Sequence, residues 1–121
     1  MIDYQELIER SRTPDNLGEL TNPDIHVEDI NPLCGDKVEI FVNIKNNVID
    51  EIKFKGSGCS ISKVSTDLLL DKIKGKSIND VKNLKNEDIL NLLGIDISAM
   101  RLKCALLSLV AIKKGINNYQ K

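Results

Sequence analysis

Three cysteines, Cys34, Cys59 and Cys104, and the aspartate two residues after the first, Asp36, are the side chains of this 121-residue chain best suited to chemistry. Their number is odd and their spacing wide, which argues against a disulfide framework. Thiols so scattered are either small fillers of an apolar core or ligands gathered by the fold. Gathered, three thiolates and a carboxylate make a tetrahedral four-ligand set suited to Zn2+ or an iron–sulfur cluster. The set lacks the close C-x-x-C pairs of structural zinc sites, and a carboxylate is a harder, weaker cluster ligand than a fourth thiolate. Such a composition suits a metal group that is loaded and then released.

The elements that must do the gathering are legible. "KVEIFVNI" (37–44) alternates, with Val38, Ile40, Val42 and Ile44 on one face, and reads as a strand. "VIDEIKF" (48–54) is a second strand with Val48, Ile52 and Phe54 on one face, and "DIHVEDI" (24–30) a third. A two-residue Asn46-Asn47 turn would set Val38 against Lys55 and Val42 against Glu51, so the pattern favours a three-residue loop, 45–47. That register pairs Ile40 with Ile52 and Val38 with Phe54; extended, it sets Asp36 opposite Gly56 and Cys34 opposite Gly58. One hairpin then brings Cys34, Asp36 and Cys59 to the side facing the helices.

Helices are expected over 3–11, opened by an Asp3/Glu6 capping box with Tyr4, Leu7 and Ile8 at helical spacing, and over 60–74, ended by Gly75. "RTPDNLGELTNP" (12–23) is a loop. Ser77 opens a short helix with Asp80, and Asn86 caps another over 87–93. The last helix, 98–117, carries an apolar stripe of Leu102, Leu106, Leu109, Ile112 and Ile116. At roughly 100° per residue, Cys104 falls off that stripe, on a second side with Met100, Leu107 and Ala111. Cys59 stands in the first turn of a helix, where the N-terminal dipole favours a thiolate. Strands first and helices afterwards give an α+β fold, a small antiparallel sheet of about three strands with helices on one face.

Length suits one domain, 1–121. Apolar residues at 41% and charged residues at 29% are ordinary for a globular protein. A net charge of −1 leaves no basic field for nucleic acid. No apolar run approaches the ~20 residues that span a membrane, and "MIDYQELIER" does not read as a signal peptide, so a cytoplasmic protein is expected. His26, the sole histidine, would need an orienting partner to form a hydrolase dyad with Cys34, and none is evident. Ser60 and Ser62 read as helix-start residues, and Lys72, Lys74 and Lys76 as a solvated helix end.

"NPLCGDKVEIFV", "IKFKGSGCSISKVS" and "MRLKCALLSL", after a looser "TPDNLGEL", resemble the U-type iron–sulfur cluster assembly scaffolds, the IscU/SufU family with the N-terminal domain of NifU. The resemblance runs from about Pro14 to Gly115. It implies a non-enzymatic α+β scaffold that takes sulfur from a cysteine desulfurase and iron from a donor. On it a transient [2Fe–2S] cluster is built and passed to apo-proteins. Matched block by block, it makes Cys34, Asp36, Cys59 and Cys104 the ligands, of the cluster or of Zn2+ in the same place. The persulfide acceptor would be Cys104, as in IscU-like members, or Cys34, as in SufU-like ones. "GSGCSIS" and "RLKC" look SufU-like, with Lys103 where IscU-like members carry His, yet the span from Cys59 to Cys104 has the compact IscU or NifU length. The alternative function is therefore a zinc-dependent sulfurtransferase that accepts persulfide and activates the desulfurase. Lys103 would assist sulfur transfer as a nearby cation, and Arg101 would contact a partner or the cluster; each is otherwise a solvated surface residue. "ISAMR" (97–101) stands where IscU-like members carry the Hsp70-recognised "LPPVK". It lacks both prolines, Ser98 can cap the helix instead, and weak or absent Hsp70 dependence is expected.

Overall fold

The computed structural model describes residues 4–32, 35–58, 60–94 and 99–119. A helix, α1 (Tyr4–Arg12), precedes three strands, β1 (Ile25–Asn31), β2 (Asp36–Lys45) and β3 (Val48–Ser57). Four helices follow: α2 (Ser60–Ile73), α3 (Ile78–Lys82), α4 (Asn86–Leu93) and α5 (Ala99–Tyr119). The strands form an antiparallel meander in the order β1-β2-β3. α5 lies over β1 and β2, α2 lies over β3, and these two helices pack on each other. This is the expected α+β architecture. The Asp3 and Ser98 caps, and the side chains of Tyr4, Leu7 and Met100, fall outside what is described.

The hairpin register differs from the one expected. Asn46 and Asn47 both adopt left-handed conformations, φ 54° and 62°, and form the tight two-residue turn, with Lys45 opposite Val48. Asparagine tolerates this region, which a primed hairpin turn requires at both positions. The clash of apolar and charged partners that such a turn implies is removed by a β-bulge. Ile44 pairs with Ile49, Asn43 with Glu51, and Asp50 is the extra residue, turned to solvent. Beyond the bulge Val42 meets Ile52, Ile40 meets Phe54 and Val38 meets Gly56. Ile49 thus takes the core position expected for Val48. The expected pairs Ile40–Ile52, Val38–Phe54 and Asp36–Gly56 do not form.

The core lies between sheet and helices. Val38, Ile40, Val42, Ile52 and Phe54 from the strands meet Leu69, Leu70 and Ile73 of α2 and Leu109, Ile112 and Ile116 of α5. Leu102, expected in the α5 stripe, is 37% exposed, whereas Cys104, Ala105, Leu107, Ser108 and Ala111 are buried. α5 is covered from two directions, by the sheet and by α2 with α4. Its buried arc is therefore rotated toward the side that carries Cys104.

The connections are stitched to the sheet. In the loop after α1, Asn16 and Gly18 bond the backbone of Phe54 at 2.9 Å each, so a segment of this loop covers the outer edge of β3. At the other end, Gly75 donates to Ile49 (2.8 Å) and Ile78 to Asn47 (2.9 Å), tying the exit of α2 to the Asn46-Asn47 turn. Ser77 caps α3 as expected, accepting from the Asp80 N–H at 3.1 Å. For α4 the N-cap is Lys85, not Asn86: Asp88 reaches back to accept the Lys85 N–H at 2.8 Å. Lys72, Lys74 and Lys76 are exposed as expected, whereas Ser62 is buried within α2, its carbonyl accepting from Ser65 and Thr66. Among the described residues no helix is long and apolar enough to cross a membrane.

Candidate metal centre

The chemistry-bearing residues that are described meet at the end of the sheet away from the Asn46-Asn47 turn. The ladder between β2 and β3 runs to Lys37–Ser57, and one step further sets Asp36 against Gly58. The contact is close: a Cβ on Gly58 would lie 2.4 Å from Asp36 Oδ1. Gly58 also holds φ +147°, which side-chain-bearing residues rarely adopt. Gly56 is equally constrained, since a Cβ there would sit 2.5 Å from the carbonyl oxygen of Lys37. The glycines of "KGSG" let the backbone close on the carboxylate, which is only 2% exposed.

Cys104 approaches the same end from α5. It is 4% exposed, and its sulfur lies 3.9 Å from the side-chain nitrogen of Asn31. Asn31 is the ladder partner of Asp36, and its carbonyl accepts the Gly35 N–H at 2.8 Å, closing the turn from β1 to β2. Gly35 takes φ +75° in that turn, with nothing within 4 Å of a Cβ built on it. One residue therefore touches Cys104 through its side chain and Asp36 through its backbone. Cys34 and Cys59 lie outside the described residues; each is the chain neighbour of a glycine just placed, Gly35 and Gly58.

Asn31 was not evident as a site residue. The signal lay in the alternation of β1: Ile25, Val27, Asp29 and Asn31 share one face, which changes from apolar to polar as it nears Cys34. Beside Asn31 opens a groove of about 350 Å3, lined by Asn31, Pro32, Lys103, Leu106, Leu107 and Val110 among others. Lys103 is solvent-exposed there, and the Arg101 side chain is not among those described. His26 sits on the opposite, outer face of the sheet, stacked on Phe41 with ring centroids 4.6 Å apart. It does have an orienting partner, Glu39, at 2.5 Å, but both belong to the face away from Asp36 and Cys104.

A second polar cluster is structural. The carboxylates of Asp15, Asp67 and Asp71 approach within 4.8 Å of one another, with the Arg10 guanidinium among them. Asp67 is fully buried; it takes the Arg10 Nε–H at 2.6 Å and the Asn16 N–H at 2.8 Å. Burial pulls the Arg10 pKa down, but the hydrogen bonds and charges of Asp67 and Asp71 outweigh this and raise it. The cluster clamps α1 and the following loop onto α2.

A meander covered on one side, with a buried carboxylate and thiol at one end, has the architecture of the NifU-like N-terminal domain. The model of that family matches residues 3–121, and this chain belongs to it. The zinc-dependent sulfurtransferase SufU of Bacillus subtilis (strain 168) is 31% identical, over 93% of this chain and 87% of its own length. The iron–sulfur cluster assembly scaffold protein IscU of Buchnera aphidicola (subsp. Baizongia pistaciae) is 34% identical, over 96% of this chain and 94% of its own. Among solved structures, FiSufU of Fervidobacterium islandicum AW-1, designated a cluster assembly scaffold for the SUF system, superimposes with a TM-score of 0.76. It is 25% identical and covers 91% of this chain and 93% of that one.

Proposed function

We propose that this chain is a scaffold on which iron–sulfur clusters are assembled, with sulfur from a cysteine desulfurase and iron from a donor, and from which they pass to apo-proteins. The observation that carries the reading is the convergence of a buried carboxylate, Asp36, and a buried thiol, Cys104, on one residue, Asn31. A carboxylate and a thiol held together at one end of the sheet are a donor pair of the kind a metal ion takes, and this supports a ligating role for both. We assign Cys34, Asp36, Cys59 and Cys104 as the four ligands and [2Fe–2S] as the cargo. Residues 1–121 act as one scaffold domain, in the cytoplasm, with weak or absent Hsp70 dependence.

Sulfur enters by exchange. The thiolate of Cys104 or Cys34 attacks the outer sulfur of the desulfurase's persulfide; that S–S bond breaks, and the desulfurase cysteine leaves as a thiolate. Lys103, exposed at the groove beside Asn31, would assist as a cation near the attacking thiolate. Asp36, the hard ligand among soft ones, is the exit point, because water or a recipient's cysteine displaces a carboxylate from iron more readily than a thiolate.

The sulfurtransferase reading is favoured by the SufU relative and by Lys103 in the third cysteine block. The same donors fit Zn2+, which would keep the sulfurs as thiolates when bound. Anaerobic reconstitution with iron, cysteine and a desulfurase separates the two. Visible charge-transfer bands and transfer to an apo-ferredoxin are expected for the scaffold. Stimulation of the desulfurase with no cluster formed would instead establish the sulfurtransferase.

A further inference from the structure

We propose that Asn31 is a positioning residue for the metal centre, its side-chain amide N–H holding the sulfur of Cys104 toward the end of the sheet where Asp36 lies. The proposal rests on the reading of Cys104 as a ligand. Asn31 is 5% exposed and faces the helices. A buried amide is unfavourable there unless hydrogen-bonded. One bond it makes is to sulfur, Nδ2 to Sγ at 3.9 Å. Its backbone leaves it little freedom: its carbonyl takes the Gly35 N–H, and its ladder partner is Asp36. The amide is thus fixed at the junction of β1, β2 and α5, and a shift of α5 moves Cys104 away from a stationary donor.

The electronic consequence depends on the state of the sulfur. An N–H bond to a thiolate is stronger than one to a neutral thiol, because the acceptor is charged. A bond that strengthens when metal binds orients the ligand and withdraws electron density from it, which tunes affinity and potential. An amide that only fills its place beside a core thiol would gain nothing on metal loading.

Cobalt reports on this directly. Co2+ bound to the wild type should give thiolate-to-metal charge-transfer absorption that loses one thiolate's share in Cys104→Ser. In Asn31→Leu, which keeps the shape without the donor, and in Asn31→Ala, which opens a cavity, that band should move to longer wavelength. Zn2+ affinity, measured by competition with a chelator, should fall about 10–100-fold in both. In the wild type, the Asn31 side-chain amide protons should shift downfield when Zn2+ is added, a readout independent of any variant. Unmoved protons would overturn the role. So would an unchanged band and affinity in the two variants, and the ligand assignment would then survive. If Cys104→Ser leaves the cobalt spectrum as it was, the ligand assignment itself fails, and the positioning role with it.

Discussion

At the scale of single residues, the centre depends on two kinds of substitution behaving oppositely. Asp36→Ala removes the proposed exit ligand, so transfer to an apo-ferredoxin should slow and the cluster should persist. Asp36→Cys should trap it more firmly, and Cys59→Ala should prevent stable assembly. Circular dichroism under anaerobic conditions follows all three, and unchanged transfer from Asp36→Ala would exclude a ligand role for the carboxylate. Gly58→Ala tests the backbone behind it. The added methyl would overlap Asp36 Oδ1 at 2.4 Å in a backbone at φ +147°, so a loss of about 1–3 kcal/mol is expected by denaturant titration. Asp36 was legible because its type and its spacing from Cys34 carried the chemistry. Asn31 was not, since an asparagine before a proline reads equally well as a turn residue.

At the scale of elements, the sequence announced each strand and helix but not how two of them slide. Asn46-Asn47 had the composition of a tight turn, yet the charged partners it implied spoke against it. A bulge at Asp50 reconciles both signals, and a bulge leaves no mark on alternation until the pairing is seen. The helix α5 was misread in the same way. A stripe of leucines and isoleucines marks where apolar residues fall, not from how many sides a helix is covered. Close approach of α5 to β1 makes a separate prediction. A Cβ on Gly115 would lie 2.7 Å from Ile25 Cγ2 and 3.2 Å from Val27 Cβ. Gly115→Ala gains about 1 kcal/mol of helix propensity but forces these elements apart, at about 1–3 kcal/mol. The melting temperature should stay level or fall, where the same change on an uncovered helix would raise it. Lys55 of β3 and Glu19 of the loop that covers it form an exposed pair. Hydrogen bonding to Lys55, then its charge, lowers the Glu19 pKa. A lowered carboxylate contributes stability above its unfolded value and loses it as pH falls through the folded one. Glu19→Gln should therefore flatten stability across that acidic range, an effect that added salt also diminishes.

At the scale of the whole molecule, the proposed ligand set would link metal binding to the fold. A site completed by α5 and the β2–β3 hairpin exists only in the native state, so Zn2+ should raise the melting temperature by mass action. A chelator should lower it, and Cys59→Ala should abolish the difference; coincident curves with and without chelator would argue against a preformed site. Three thiols and a carboxylate carry that expectation in the sequence itself, whereas the clamp of Arg10 on Asp67 was not legible there, because its partners stand 57 residues apart.

That separation has a consequence for the order in which the protein is made. The ribosome releases α1 and its loop long before Asp67 exists to receive them, so the first segment synthesised waits for α2 to emerge before it docks. Asp36 is in place once the hairpin closes, but Cys104 and the helix that carries it are completed last. Until α5 is made, a nascent chain lacks one of the four proposed ligands. On the proposed assignment, the vectorial order of synthesis leaves a half-made protein one thiol short of the set.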